Sequence, residues 1–481
     1  MVNFIRPAFL DRLAFLLFLL FFLLVALASV DRSCLDDADS AYLISADAVS
    51  RGLVPYRDFL AAHPPLIYVI GAPLSMMDDG TLPFRVFSIG VLAALGVTVW
   101  RLAYKVTANS GIAMLAGVLT LFAPLGLFFS KLFTNDPLVS LLTALIFLQL
   151  FGRTRRSLIG AGVLSVLATL TKLTWLPVLA VCVLYVIFFR RKQAWVYLAV
   201  ALGGSIGAAL LMHLLTGGAY LDNILVSQVS KGYSFSNLGE GLRRIWSIDW
   251  PLIFPGAVGA WFAVRAIRKR QQLSPGLRGR LFLLAGWLVS GLVLLGTLPA
   301  EGHDTNLFLL AEPALAILAA WGIIGLAERG SLPAITAVAI WVVLAVPALV
   351  DRDRDFLSLS NSNDVDVVAA RIISHSEESQ PVLVPGCFAL EAARPVTLDF
   401  YDRIFWEEKY KRGDREAIDM FNSLKQEVIQ AEPGAVLFAG DLLTKEILIG
   451  DVRENYRLDY RNRSRPDLEL WVPGGAVEEF C

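Results

Sequence analysis

The feature that most constrains the fold is a series of long apolar segments that recurs through residues 1–350. The first covers residues 13–30, which is 18 residues without a charged side chain. Each segment is near the ~20 residues needed to cross the hydrocarbon core of a bilayer. The sequence therefore predicts an α-helical polytopic membrane protein with about 11 transmembrane helices. The other predicted spans are residues 84–104, 111–130, 137–151, 157–172, 174–189, 194–215, 250–264, 281–299, 307–327 and 332–350.

Composition agrees with a membrane protein and excludes several other classes. Hydrophobic residues make up 56% of the chain and charged residues 18%, against about 25% charged in soluble domains. The formal net charge is -1, and there is no basic patch interleaved with aromatic residues, so no nucleic-acid partner is predicted. The four cysteines have no metal-ligand spacing, and a Cys34–Cys387 disulfide is allowed but only weakly supported by sequence.

The first apolar segment has two interpretations. It follows Arg6 and Arg12, and Ala26-Leu27-Ala28 resembles a signal-peptidase site before Asp31. The run is nevertheless longer than the ~7–15 apolar residues of a typical signal peptide. We therefore predict a retained first span.

Basic residues set the predicted orientation. They cluster in every second loop, which the positive-inside rule assigns to the cytoplasm. The N-terminus is then cytoplasmic, the C-terminus is outside, and residues 31–82, 134–136, 172, 216–249 and 301–306 face outward. The basic clusters are Arg101 and Lys105; Arg153, Arg155 and Arg156; Arg190, Arg191 and Lys192; and Arg265, Arg268, Lys269, Arg270, Arg278 and Arg280.

After residue 350 the composition changes abruptly, beginning with Asp351-Arg352-Asp353-Arg354-Asp355. Residues 381–385, 435–439 and 468–472 resemble short strands, and apolar residues recur at helical spacing within 418–428. We predict two domains: a transmembrane domain over residues 1–350, with an outer catalytic loop at 31–82, and a small extracytoplasmic α/β domain over residues 351–481.

The outer loop carries the densest group of polar and rigid residues. Asp39 is a candidate N-cap for a helix over residues 41–50, and capping alone would account for it. The functional alternative is that Asp39 accepts the proton of a hydroxyl nucleophile as a general base. Asp37 is the second candidate for that role. The same loop contributes four candidate substrate-binding residues: Tyr56, Arg57, Asp58 and His63.

Further candidates lie at the predicted outer ends of spans. Asp136 in Thr134-Asn135-Asp136-Pro137 can cap a helix or bind substrate, and Lys172 can snorkel to the interface or serve a site. His303 precedes a span in which Glu312 lies about two helical turns deep and needs a partner. A metal held by His63 or His303 with nearby carboxylates lacks any supporting spacing, so no metal ligand is predicted.

These segments resemble the GT-C superfamily of membrane glycosyltransferases, of the protein mannosyltransferase and aminoarabinose transferase type. The matching pieces are Asp39-Ser40-Ala41-Tyr42, Gly52-Leu53-Val54-Pro55-Tyr56-Arg57-Asp58-Phe59, His63-Pro64-Pro65-Leu66-Ile67-Tyr68, Thr134-Asn135-Asp136-Pro137, 167–172 and 308–320. The resemblance covers residues 1–350. It implies a sugar donor on a polyprenyl phosphate, transfer with inversion, and a catalytic aspartate in the first outer loop.

Two departures from the family pattern stand out. Counting back from Gly52, the family's aspartate position falls on Ala38. The resemblance therefore leaves Asp39 and Asp37 as the catalytic alternatives, with Asp39 preferred. Thr305-Asn306 stands where many relatives have Arg-Tyr, which removes the phosphate contacts expected of that loop.

The prediction is an inverting glycosyltransferase on the outer face of a bacterial inner membrane. It would move a sugar from a polyprenyl-phosphate donor to an envelope glycan, lipid or protein. Lys172, Arg57 and His63 are the candidate phosphate contacts, and Asp136 would orient the acceptor or hold a cation. No cofactor is required by the sequence, which leaves room for a divalent cation. The alternatives are a non-enzymatic lipid or polysaccharide translocator and a structural assembly protein.

Overall fold

The computed structural model describes the chain in two compact units. The first comprises Met1–Val30, Val86–Leu211 and Gly232–Asp355, and the second Asp31–Arg85, Met212–Lys231 and Phe356–Cys481. The described residues are 7–28, 30, 37–59, 61, 63–77, 80–152, 154–226, 235–269, 275–299, 305–327, 362–377, 380–384, 389–390, 392, 410, 415–430, 433–438, 448, 452, 455–461 and 469–474.

Helices dominate both units. In chain order they are α1 Pro7–Ala28, α2 Asp37–Ser50, α3 Leu66–Ser75, α4 Leu82–Thr107, α5 Ser110–Leu121, α6 Pro124–Phe129, α7 Asn135–Leu150, α8 Arg155–Thr171, α9 Leu176–Phe189, α10 Ala194–Leu198, α11 Gly204–Leu215, α12 Ala219–Leu221, α13 Phe235–Lys269, α14 Pro275–Leu295, α15 Glu312–Ala327, α16 Ser362–His375 and α17 Arg415–Ile429.

The protein is an integral membrane protein. Within the described residues, five helices are long and apolar enough to cross a membrane: Phe9–Ala28, Leu82–Thr107, Arg191–Leu215, Leu238–Arg265 and Gly276–Leu295. Five shorter apolar helices fall within other predicted spans or the outer loop: Leu66–Ser75, Ser110–Leu121, Asn135–Leu150, Leu173–Phe189 and Glu312–Leu326. The helical membrane architecture is confirmed. The count of about 11 spans stays a prediction. The predicted span 332–350 lies outside the described residues.

One predicted span is two helices. Residues 111–130 divide into α5 and α6, and Ala123 between them is extended (φ -61°, ψ 128°). Pro124 causes the division, because proline disfavours helical conformation in the residue before it and is well accommodated in the first turn of a new helix. The start of α5 is capped by Asn109, whose side chain accepts a hydrogen bond from the Ile112 N–H at 3.0 Å.

Helices α13 and α15 pack with their backbones in close contact. A Cβ atom on Gly259 would lie 1.7 Å from the Leu318 carbonyl oxygen, and one on Gly322 would lie 2.4 Å from the Pro255 carbonyl oxygen. Small residues permit this kind of approach between membrane helices. Any larger side chain at Gly259 would force the two helices apart.

The basic loops of the first unit lie together at one end of the bundle, which we call the basic end. Arg280 at the start of α14 donates to the Lys105 carbonyl and lies 5.7 Å from the Phe151 ring centroid. Arg190 donates to the Leu150 carbonyl at 3.2 Å. The structure thus brings together loops that the charge pattern had assigned to the same side of the membrane.

The second unit contains a three-stranded antiparallel sheet, formed by β1 Val436–Phe438, β2 Tyr456–Arg461 and β3 Glu469–Pro473 in the order β1-β3-β2. β1 and β3 lie where strands were predicted. Within the described residues of the predicted strand at 381–385, an isolated bridge joins Leu383 to Val436. An apolar cluster that includes Phe421 and Val428 of α17 packs with the sheet. The boundary of a separate domain at residue 351 stays a prediction.

Candidate active site

Most of the sequence-predicted site residues that the structure describes fall into two groups, one in each unit. In the second unit, Asp39 on α2 pairs with Arg85, a residue in the first turn of α4. Arg85 donates from Nη1 to Asp39 Oδ1 at 2.7 Å and from Nη2 to Oδ2 at 2.6 Å. The Asp39 and Arg85 side chains are 0% and 2% exposed. This two-pronged guanidinium–carboxylate geometry is both strong and directional.

The predicted start of α2 is wrong by four residues. The helix begins at Asp37 rather than Ala41, so Asp39 lies inside its first turn and is not the N-cap. Acidic residues in a first turn are stabilised by the free N–H groups and the positive end of the helix dipole. The Asp39 side chain is fully buried. Of Asp37 the structure describes the backbone only.

The loop after α2 is rigid, and Tyr56 is its central residue. Tyr56 has a left-handed backbone (φ 70°), which is uncommon for a residue other than glycine and costs free energy. Its N–H donates to the Phe59 carbonyl at 2.9 Å, and its hydroxyl donates to the His63 carbonyl at 2.6 Å. Burial, and after it the nearby Tyr68 and Tyr220, raise the pKa of the Tyr56 phenol.

Arg57 and Asp58 pair with each other at the surface of this loop. Arg57 Nε and Nη2 donate to the two Asp58 carboxylate oxygens at 2.8 Å each. Asp58 Oδ2 also accepts from the Val54 N–H at 2.7 Å. The Arg57 hydrogen bonds, and then the Val54 N–H, lower the pKa of Asp58 to about 2. Asp58 thus stabilises the loop, while the Arg57 side chain remains 55% exposed.

His63 belongs to an aromatic group. Its ring stacks on Tyr42 of α2 with centroids 5.4 Å apart, and Tyr42 in turn lies 6.1 Å from Tyr68 of α3. Tyr56 makes an edge-to-face contact with Tyr220 at 5.0 Å. The structure brings His63 and Tyr56 together through the hydrogen bond from the Tyr56 hydroxyl to the His63 carbonyl.

The second group lies in the first unit, where Asp136 on α7 pairs with Lys172 at the end of α8. Lys172 Nζ donates to Asp136 Oδ1 at 2.7 Å, and Asn306 Nδ2 donates to Asp136 Oδ2 at 3.1 Å. The Lys172 and Asp136 side chains are only 6% and 7% exposed. We call Asp136, Lys172 and Asn306 the lysine cluster.

Some polar atoms in and beside the lysine cluster have no hydrogen-bond partner in the described part of the chain. They are Thr134 Oγ1, Asn135 Oδ1 and Asn306 Oδ1, and all three atoms are buried. Buried polar groups are nearly always hydrogen-bonded in folded proteins, so such exceptions call for an explanation. An ammonium also has three N–H donors, of which Asp136 takes one. The cluster can therefore bind a ligand with both hydroxyl groups and an anionic group.

Neighbouring hydrogen bonds hold the lysine cluster in place. Trp175, in the 3-10 turn after Lys172, donates from Nε1 to Thr143 Oγ1 on α7 at 2.8 Å. Ser140, also on α7, donates to the Leu309 carbonyl at 3.1 Å, which positions the segment that carries Asn306. Both bonds are buried, and they fix α7 against the two segments that supply the other cluster residues.

The lysine cluster suits a metal ion less well than it suits an anionic ligand. Its oxygen atoms are of the kind that hard cations such as Mg²⁺ prefer, but the Lys172 ammonium already lies on the Asp136 carboxylate. A cation would have to displace it. Among the described residues, no three His, Cys, Asp or Glu side chains come together as a metal site.

Glu312 lies at the start of a helix. It is the first residue of α15 and follows a 3-10 segment, Thr305–Leu310, and its depth in the membrane stays a prediction. Its carboxylate accepts from the Gly126 N–H of α6 at 3.3 Å. Asp249 accepts from the adjacent Leu125 N–H at 3.3 Å. The sequence indicated that Glu312 needs a partner. One partner is this backbone N–H at the start of a helix, where carboxylates are favoured.

Two residues escaped the sequence analysis. Arg85 is a lone charge near the start of an otherwise apolar span, and an ionisable residue at such a position could have been recognised as a candidate. Asp249 was placed in an outer loop, because the span after it was thought to begin at residue 250. Instead α13 begins at Phe235 and Asp249 is fully buried within it. His303 lies outside the described residues.

The described residues form a helical membrane protein with a buried polar cluster, and its fold is similar to that of known structures. The crystal structure of ArnT from Cupriavidus metallidurans in the apo state matches with a TM-score of 0.67 and 14% identity, over 95% of this chain and 97% of that chain. The crystal structure of ArnT from the same organism bound to undecaprenyl phosphate gives a TM-score of 0.65 and 14% identity, over 96% and 98%. The GT-C-like fold predicted from the sequence is thereby confirmed.

A partial likeness was also found to the S. cerevisiae protein O-mannosyltransferase Pmt1-Pmt2 complex bound to the sugar donor. It covers 49% of this chain and 36% of that chain at 15% identity, with a TM-score of 0.38, which is too low to establish a common fold. No protein-family model and no curated protein sequence matches the chain.

Proposed function

We propose that the protein is an inverting glycosyltransferase that moves a sugar from a polyprenyl-phosphate donor to an envelope glycan, lipid or protein. The observation that carries the proposal is the lysine cluster. It offers an ammonium for a phosphate and, in Thr134, Asn135 and Asn306, buried polar atoms for hydroxyl groups. A sugar linked to a phosphate presents both kinds of group.

The ArnT structures support this choice of donor. One of them is bound to undecaprenyl phosphate, and its fold extends over nearly all of this chain. Under the proposal, Lys172 contacts the donor phosphate and stabilises the negative charge that grows on it as the glycosidic bond breaks. Such charge stabilisation is commonly the largest single contribution to catalysis. Asp136 holds the ammonium in place and, with Asn306, contacts the substrate.

The reaction also needs a base. The acceptor hydroxyl oxygen attacks the anomeric carbon, the bond from that carbon to the phosphate oxygen breaks, and the lipid phosphate departs with the electron pair. The hydroxyl proton passes to a carboxylate. We assign this role to the first turn of α2, with Asp39 preferred and Asp37 as the alternative. For Asp39 to act, an acceptor must reach a carboxylate that Arg85 already holds.

The loop residues take supporting roles in this proposal. Arg57 is an exposed cation of the loop, and the Tyr56 hydroxyl holds the His63 backbone. These three, with Asp58, Glu312 and His303, remain candidate substrate-binding residues. Glu312 would act indirectly, by fixing the start of α6.

We further propose that the basic end faces the cytoplasm of a bacterial inner membrane, because positive charge is retained on that side. This places the N-terminus inside and the C-terminus in the periplasm. An impermeant thiol reagent tests the orientation on spheroplasts, in a protein with its native cysteines replaced by serine. Arg51→Cys should react on intact cells and Arg191→Cys only after the membrane is opened, and the opposite pattern would overturn the orientation.

A deletion strain tests the function itself. Mass spectrometry of its envelope glycans, lipids and proteins should show a missing sugar that returns with the wild-type gene and not with Lys172→Gln. A translocator would give another outcome: the lipid-linked donor or polymer would accumulate on the inner leaflet, and the purified protein would transfer no sugar to any acceptor fraction. That result would replace the enzyme proposal with the translocator.

A further inference from the structure

A second binding feature lies at the basic end of the first unit, where a cavity of about 450 Å³ opens between α1, α4, α5 and α7. This volume is within the range of about 300–1,000 Å³ typical of ligand sites. Trp100, Tyr104 and Leu148 form its apolar wall, and Arg12, Arg101 and Lys105 supply its basic groups.

The charges around the cavity are unbalanced. Three cations line it together with one carboxylate, Asp11, which accepts a hydrogen bond from the Ser110 hydroxyl. Within the described part of the chain, neither Arg101 nor Lys105 forms a salt bridge. These two residues are one helical turn apart on α4, where like charges repel each other. An anion between them would remove that repulsion.

We propose that this cavity binds an anionic phospholipid of the surrounding bilayer. The lipid phosphate lies against Arg101 and Lys105, and an acyl chain follows the wall formed by Trp100 and Leu148. Charge complementarity selects the head group, and the apolar wall selects a lipid over a free phosphate. Basic pockets between membrane helices are a recurrent means of binding anionic lipid head groups.

The cavity is separate from the lysine cluster. Leu148 and Asp136 lie 12 residues apart on α7, which corresponds to about 18 Å along the axis at 1.5 Å per residue. Binding at the basic end therefore involves none of the residues assigned to the glycosyl-transfer proposal, and it can be measured without any knowledge of the sugar donor or the acceptor.

Native mass spectrometry of the purified full chain tests the proposal, with phosphatidylglycerol compared against phosphatidylcholine. We expect phosphatidylglycerol to bind at least tenfold more tightly, and Arg101→Gln/Lys105→Gln to remove this preference, since each basic group near a membrane adds roughly fivefold to anionic-lipid binding. The matched control is Arg191→Gln/Lys192→Gln, an exposed pair at the same end that does not line the cavity. It should retain the preference.

A second variant tests the apolar wall. Leu148→Trp narrows the cavity while leaving every charge in place, and it should weaken phosphatidylglycerol binding at an unchanged unfolding temperature. Three results would overturn the proposal. The first is equal affinity of the wild type for the two lipids. The second is an equal loss of phosphatidylglycerol preference in Arg101→Gln/Lys105→Gln and in the control Arg191→Gln/Lys192→Gln. The third is displacement of the lipid by inorganic phosphate alone.

Discussion

Two buried ion pairs among the described residues differ in ways that bear on function. In Asp39–Arg85, a planar guanidinium grips both carboxylate oxygens and the pair is sealed from solvent. In Asp136–Lys172, a single ammonium contacts one oxygen, and Asn306 contacts the other. Beside the second pair lie buried polar atoms that no described residue satisfies.

Arginine and lysine are not interchangeable in such sites. The guanidinium presents a rigid set of donors that fixes the geometry of a carboxylate, whereas an ammonium is a compact charge on a flexible stem that can turn to a new partner. The comparison therefore suggests that Asp39–Arg85 fixes the position of α2 relative to the start of α4, and that Asp136–Lys172 can exchange contacts with a ligand.

The largest expected effect concerns Asp39. Asp39→Asn removes a proposed base that typically contributes about 10²–10⁴-fold, so transfer should fall by that order. It also breaks the buried pair with Arg85, and loss of one partner of a buried pair typically destabilises a protein by about 3–5 kcal/mol. Activity per folded protein and unfolding temperature must both be measured, because the two losses otherwise cannot be separated.

A double variant separates them. Asp39→Asn/Arg85→Met removes the whole pair, and apolar replacement of a buried pair is often neutral for stability. If this variant folds and transfers sugar at the wild-type rate, Asp39 is structural only. Asp37→Asn is the companion variant: it should cost little if Asp39 is the base, and it should abolish transfer if Asp37 is.

The next effect concerns Lys172. Lys172→Gln keeps a hydrogen-bond donor for Asp136 but loses the positive charge, and transfer should fall about 10²–10³-fold, as when one preorganised electrostatic contact is lost. Lys172→Arg, which keeps the charge, should recover part of the rate. Equal rates for wild type and Lys172→Gln would reduce Lys172 to a snorkelling interface residue.

A smaller effect is expected at Trp175. Trp175→Phe removes the bond to Thr143 Oγ1, and a buried hydrogen bond contributes about 0.5–1.5 kcal/mol. The unfolding free energy should drop by about that amount, and the donor concentration at half-maximal rate should rise modestly because Lys172 precedes this turn. If Trp175→Phe lowered the transfer rate as much as Lys172→Gln does, the packing around the lysine cluster, rather than its charge, would determine its activity.

The smallest effect is the pH dependence of the Arg57–Asp58 loop. The folded-state pKa of Asp58 is lowered to about 2 from an ordinary value near 3.9, so its contribution to stability is complete above the ordinary value and disappears as the pH falls through about 2. The difference in Tm between wild type and Asp58→Asn should narrow from pH 5 to pH 2. A constant difference would show that the pair is not formed.

The sequence predicted the membrane fold and identified Asp136 and Lys172 as candidates, which the structure brings together, because charges in apolar chains are few and their positions are informative. It missed the partners, since a bond such as Asp39–Arg85 joins residues far apart in the chain and depends on how α2 meets α4. Short elements were also misjudged: Pro124 divides a span, and α13 extends well before its most apolar part. In both cases hydropathy alone identifies the apolar stretch and not the helix.

The most direct test of the central claim is a titration of undecaprenyl phosphate into purified wild type, Lys172→Gln and Asp136→Asn. If the lysine cluster binds the donor phosphate, Lys172→Gln should weaken binding at least tenfold. Asp136→Asn should keep or tighten it, because the ammonium is released from its competing carboxylate. Indistinguishable affinities for all three proteins, with each shown to be folded, would contradict the claim and remove the lysine cluster from the binding site.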